Sequence, residues 1–135
     1  MAKKEHKSEG FAFGHAPSDA DRGWFVGQFV APEGGLRRRD DLEIKWGIHP
    51  PGERREKGWS ASRVATTISV LLQGSFHVRL AVDGGVRDFQ LREPGDYLVF
   101  GPGVPHTWEA PEGCIVLTVR TPSLPDDEVP CDPPG

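Results

Sequence analysis

An all-β domain is the fold class this sequence predicts, on three observations. Glycine and proline are dense, 17 and 13 in 135 residues, while the apolar content of 36% is still enough for a core. That combination reads as short strands joined by turns. Two stretches alternate apolar and polar residues with period two, the mark of a half-buried strand. Helix signals are nearly absent: residues 59–73 lack Gly and Pro, but their second half, Val64-Ala65-Thr66-Thr67-Ile68-Ser69-Val70, is largely β-branched. Such side chains suit a pleated surface better than a helix.

The elements follow in order. Residues 1–20 are polar and rich in small residues and are expected to form a flexible arm, with His6 and His15 in no specific role. Residues 23–30 are the first strand candidate. Residues 31–41 form a loop in which Arg37-Arg38-Arg39 is followed at once by Asp40-Asp41, which favours a solvated loop over an anion patch. Residues 42–49 alternate, with Leu42, Ile44, Trp46 and Ile48 expected on the core face and Glu43, Lys45, Gly47 and His49 on the other. Pro50-Pro51-Gly52 ends that strand, and a charged loop, 53–59, leads to a strand over 63–73. Residues 75–82 alternate again, with Phe76, Val78, Leu80 and Val82 inward and His77 and Arg79 outward. Asp83-Gly84-Gly85 supplies the positive φ angles of a tight hairpin, and 86–92 returns. Glu93-Pro94-Gly95 turns the chain into 96–100, Gly101-Pro102-Gly103 turns it back, and 106–110 and 114–120 close the domain. The proline- and acid-rich residues 122–135 are expected to be a disordered tail. About eight short strands at this spacing indicate a sandwich or barrel, as one domain over 21–121.

Charge narrows the partners. Lys and Arg number 16 against 20 Asp and Glu, a formal charge of −4. A phosphate-neutralising protein needs the opposite balance, so nucleic acid is not an expected partner. No apolar run approaches the ~20 residues of a membrane span, and the N-terminus leads into no apolar signal segment, so no membrane partner and a cytoplasmic location are expected. Cys114 heads an apolar run and reads as core, while Cys131 sits among prolines; neither has a basic neighbour to activate it.

The stretch Gly95-Asp96-Tyr97-Leu98-Val99-Phe100-Gly101-Pro102-Gly103-Val104-Pro105-His106-Thr107-Trp108 resembles the second motif of the cupin superfamily. Gly95, Gly103 and His106 match it, with Gly101 where proline is usual. Ile68-Ser69-Val70-Leu71-Leu72-Gln73-Gly74 resembles the strand that ends the first cupin motif. The block Lys45-Trp46-Gly47-Ile48-His49-Pro50-Pro51-Gly52-Glu53-Arg54-Arg55 narrows the resemblance to small stand-alone bacterial cupins. The resemblance implies a jelly-roll β-barrel, the double-stranded β-helix, over about residues 42–120.

It also implies what is missing. The first motif normally offers two histidines and a glutamate that hold a divalent metal with the second-motif histidine. Counting back from Gly74 places the glutamate position on Thr67 and the histidine positions on Ser60 and Ser62, or Ala61 and Arg63; counting forward from Gly52 gives Gly58 and Ser60. Neither register supplies a ligand, and one histidine with hydroxyls does not complete a metal site. No cofactor is therefore expected. A site for Fe, Mn, Ni, Cu or Zn would need an irregular set, His106 with His49 and Glu53 or Glu56.

His106, aimed inward by the motif, is the leading site residue: a ligand contact, a general base, or a hydrogen-bonded wall residue. Trp108 shares its face, and Trp108 and Trp46 are candidate stacking surfaces or simply core bulk. Arg55 and Arg63 could clamp a carboxylate or stay solvated. Thr67 and Ser69 would give the cavity hydroxyl donors. Three functions remain open: a metal-free cupin binding a small organic ligand, with an anion suited to the arginines; an enzyme; or a protein-interaction module. The enzyme would be a metal-independent isomerase or epimerase with His106 as base and Tyr97 or His49 as partner, or an oxygenase on the irregular metal site. The interaction module would be a homodimer pairing through exposed strand edges.

Overall fold

The structure is a computed structural model that describes residues 10–19 and 22–134. Eleven strands carry the described chain: β1 (Trp24–Val26), β2 (Glu43–His49), β3 (Glu53–Arg54), β4 (Ser60–Ser62), β5 (Thr66–Gly74), β6 (Phe76–Val82), β7 (Gly85–Leu91), β8 (Tyr97–Phe100), β9 (His106–Ala110), β10 (Cys114–Thr121) and β11 (Glu128–Pro130). A single short helix, α1 (Ala16–Asp19), and a 3-10 segment, Pro32–Arg37, are the helical elements among the described residues. Among the described residues, no helix is long and apolar enough to cross a membrane. Two sheets face each other, one ordered β1-β2-β10-β5-β8 and the other β11-β4-β9-β6-β7, with β3 paired to β9. All pairings are antiparallel. The all-β jelly roll expected from the sequence is the fold observed.

The second sheet behaves as its alternation predicts. On β6, Phe76, Val78 and Leu80 are buried while Arg79 is exposed. Val82 pairs with Gly85, and the two residues between them, Asp83 (φ 55°) and Gly84 (φ 76°), adopt the positive φ of a type I′ turn. Leu71, Phe76, Val78, Leu80, Phe100 and Val116 form the body of the apolar core between the sheets.

The first sheet reverses the expectation for 42–49. Glu43 and Gly47 are buried, whereas Ile48 is 59% exposed. Period two fixes which residues share a face, and either face can turn inward. Register decides it: Glu43, Lys45 and Gly47 stand opposite Arg120, Thr118 and Val116 of β10, and Val116 is buried in the core. The polar face of β2 therefore points into the barrel and its apolar face points out. Two apolar rows cross the outside of four strands. One runs Trp46, Leu117, Val70, Tyr97; the next runs Ile44, Val119, Ile68, Val99.

Half of the flexible-arm reading falls on residues outside those described (1–9 and 20), where His6 lies. Within 10–19, His15 is exposed and bonds to Ser18 and Asp19 across α1. Residues 122–134 are not a disordered tail. β11 pairs with β4, Asp127 accepts bonds from the Val64 and Ala65 amides (2.9 and 3.1 Å), and Ser123 is buried and donates to Glu43 (2.8 Å). Proline and acid content signalled disorder, but an open edge at β4 and amides needing acceptors gave these residues specific partners.

Candidate functional site

A cavity of about 370 Å³ opens inside the barrel. Phe76, Val78, Phe100 and Val116 bring the apolar core to its wall, and His49, Thr67, Ser69, His106 and Trp108 add polar and aromatic groups. Arg22, Lys45, Arg55, Lys57, Arg120 and Glu128 supply the charge. Strand alternation explains much of this. Lys45 stands opposite Thr118 and Thr118 opposite Ser69, while Glu43 stands opposite Arg120 and Arg120 opposite Thr67, so two inward rows are polar across three strands.

His106 is buried at 5% exposure. Its Nδ1 lies 3.1 Å from the Val104 carbonyl, an acceptor only, so this nitrogen carries the hydrogen and donates. Nε2 then faces Ser60 Oγ and Glu128 Oε1, each at 3.5 Å. The ring packs against Phe100, centroids 4.7 Å apart.

Glu128 reaches the cavity from β11. Its carboxylate forms ion pairs with Arg120 (2.6 Å) and Arg55 (3.2 Å) as well as facing His106. Burial pushes its pKa up, but His106, Arg120 and Arg55 outweigh that and hold it down at about 2. Glu128 is thus a carboxylate at neutral pH. Arg120 also reaches Glu43 at 3.6 Å and lies 5.0 Å from the Trp24 ring centroid. Burial, followed by repulsion from Arg120 and Arg22, pushes the Lys45 pKa down. The Arg55 Nε, Arg120 Nε and Thr67 Oγ1 atoms are buried without a hydrogen-bond partner among the described residues.

The site residues named from sequence divide accordingly. His106, Trp108, Arg55, Thr67 and Ser69 line the cavity. Trp46 does not, because the face of β2 that carries it points outward. Arg63 is exposed and away from the cavity, because the chain turns between β4 and β5 there. Tyr97, the suggested acid–base partner, is 68% exposed on the outer face of β8, so that pairing with His106 is not formed. Lys45, Arg120 and Glu128 went unrecognised. The first two hid in strands read for apolar pattern, and Glu128 lay in a segment read as disordered.

His49 was expected to point away from the interior and instead enters it. It stacks on Phe76 and lies 4.4 Å from the Trp108 ring centroid, and its Nδ1 contacts Glu53. Burial first, then Lys45, lowers its pKa, against the opposing effect of Glu53. The irregular metal set is not assembled: His49 pairs with Glu53 and His106 with Glu128, while Glu56 is exposed. Among the described residues, no group of three or more His, Cys, Asp and Glu is placed to hold a metal ion. The donor chemistry does not fit one either. Ser60 stands beside His106, Thr67 offers a neutral hydroxyl, and the cavity's carboxylate is already claimed by two guanidinium groups in a cation-rich wall.

Solved structures with the same arrangement decide the fold. Oxalate decarboxylase from Bacillus subtilis superposes with a TM-score of 0.60 at 21% identity, over 70% of this chain and 25% of that one. A cupin protein from Bacteroides fragilis gives 0.50 at 17% identity, over 64% and 69% of the two chains. The fold is a cupin fold. A DMSP lyase structure gives 0.55 at 19% identity, over 67% of this chain and 44% of that one. The chain spans about a quarter of the decarboxylase, a protein whose Mn(II) centres are described. No protein-family model matches the sequence and no curated protein is significantly similar to it.

Proposed function

We propose that the barrel cavity binds a small organic acid through its anionic group. The carrying observation is charge segregation. The chain bears a net −4, yet its cavity is lined by five Lys and Arg side chains against the single carboxylate of Glu128. Concentrating cations in a partly desolvated cleft is costly unless an anion neutralises them, and such a cleft focuses the field on an incoming anion. Arg55 and Arg120 can grip a carboxylate in planar fashion, with Thr67 and Ser69 as hydroxyl donors. Trp108, Phe76 and His49 form an apolar side for the ligand body. Glu128 serves as the resident counter-ion, holding the guanidinium groups in place until the ligand binds.

Binding to N alone raises the melting temperature by mass action. Malonate and succinate are expected to raise it in a concentration-dependent way, malonamide is not, and Arg55→Gln is expected to abolish the effect. Equal shifts with malonamide, or shifts indifferent to Arg55, would contradict the reading. A metal-independent isomerase or epimerase is the second reading. It is favoured by the placement of His106, buried in the cavity wall with its Nε2 between Ser60 Oγ and Glu128 Oε1, where a proton could be exchanged with a ligand.

A further inference from the structure

Two of the described lysines line the cavity, and Lys45 alone reaches it from a strand. Lys45 is half-buried on the inward face of β2, opposite Thr118. Arg55 and Arg120 are both tied to Glu128, whereas Lys45 has no ion-pair partner among the described residues. We propose that Lys45 is a nucleophile that forms an imine with the carbonyl carbon of a 2-oxo acid whose carboxylate is held by Arg120 and Arg55. This rests on the anion-binding role proposed above and narrows its ligand to one chemical class.

Amine and guanidinium are placed together. Arg120 lies two residues from Thr118 on the same face of β10, which makes it the diagonal neighbour of Lys45. Both cations sit against one ring: Arg120 Cζ is 5.0 Å and Lys45 Nζ 5.8 Å from the Trp24 centroid. In a 2-oxo acid the carbonyl carbon is bonded directly to the carboxylate, so an anion gripped at Arg120 presents that carbon beside the amine. Attack also requires a neutral amine. Burial, then repulsion from Arg120 and Arg22, lowers the Lys45 pKa against the pull of Glu128 and Glu53. The nitrogen lone pair bonds to carbon as the carbonyl π pair moves to oxygen. That oxygen then leaves as water with the two amine hydrogens, and a C=N bond remains. No oxidant or reductant is consumed. Thr118 and Ser69, opposite one another in the row that carries Lys45, are the hydroxyls available to relay those protons.

Incubation of the full chain with pyruvate and sodium cyanoborohydride, which reduces an imine to a stable secondary amine, tests this. Intact mass is expected to rise by one reduced pyruvyl group. Peptide mapping is expected to place it at Lys45, with the exposed Lys57 labelled about tenfold more slowly. Malonate is expected to slow the labelling, and acetone, which lacks the carboxylate, to give none at Lys45. Lys45→Arg keeps the cation, loses the nucleophile and is expected to stop the addition; should that variant misfold, the mapped site in the wild type decides alone. No addition, addition shared equally among the lysines, or addition at Lys45 that malonate does not slow would overturn the proposal. A wild type that binds malonate without trapping pyruvate contradicts the imine alone, whereas one that does not bind malonate contradicts the anion-binding role as well.

Discussion

Glu128 links the last strand to the cavity, and its chemistry sets a testable pH dependence. Its ordinary value is 4.5 and its folded value about 2. A depressed carboxylate contributes stability that is present above the unfolded pKa and lost as pH falls through the folded one. Unfolding free energy should therefore drop between about pH 4.5 and 2 by on the order of 3 kcal/mol. Glu128→Gln is expected to flatten that limb in urea titrations at each pH. Buried Glu43 has the opposite sign, since burial raises its pKa, so it cannot produce the same limb. The same variant removes the resident counter-ion and should tighten malonate binding roughly tenfold, as anion binding to the freed arginines no longer competes with it. His106 and Trp108 were legible in sequence because a glycine-framed turn aims one strand inward. Glu128 and Arg120 were not, because ion pairing across strands distant in sequence leaves no local pattern.

At the scale of elements, β2 and β11 carry the lesson. The alternation of β2 marks its period of two, but apolarity alone assigns the wrong face inward. In a barrel that encloses a polar cavity, that rule fails. The in-register partners Val116 and Arg120 set the orientation instead. β11 was hidden because composition predicts disorder only when a segment finds no partner. Removing residues 122–135 should uncover the β4 edge, unpair Glu43 from Ser123, and lower the melting temperature by about 10 °C. Gly74 tests the β5–β6 junction. It sits at φ 85°, and a Cβ there would lie 2.1 Å from the Gly113 carbonyl oxygen. Gly74→Ala should cost at least about 2 kcal/mol in urea unfolding, whereas the same change at Gly84, also at positive φ but with open space around it, should cost less.

The whole molecule places polarity against the usual plan on one of its two sheets. Charged and hydroxyl side chains of β2, β5 and β10 face the barrel interior, while the apolar rows of the same strands face outward. The polar groups accordingly line the cavity, and apolar side chains such as Tyr97 and Val99 stand exposed outside. The fold class was readable from turn density and a glycine-framed motif, which depend on local backbone geometry. The charge of the cavity was not, because it sums side chains from β2, β10, β11 and the loop that follows β3, far apart in the chain.

Isothermal titration of malonate into protein kept in a chelator is the most direct test of an anion-binding interior. Saturable binding of about one equivalent, weakened at least tenfold in Arg120→Gln at unchanged fold, is the predicted result. Binding that appears only after a divalent metal is added, or that is indifferent to Arg120, would contradict it.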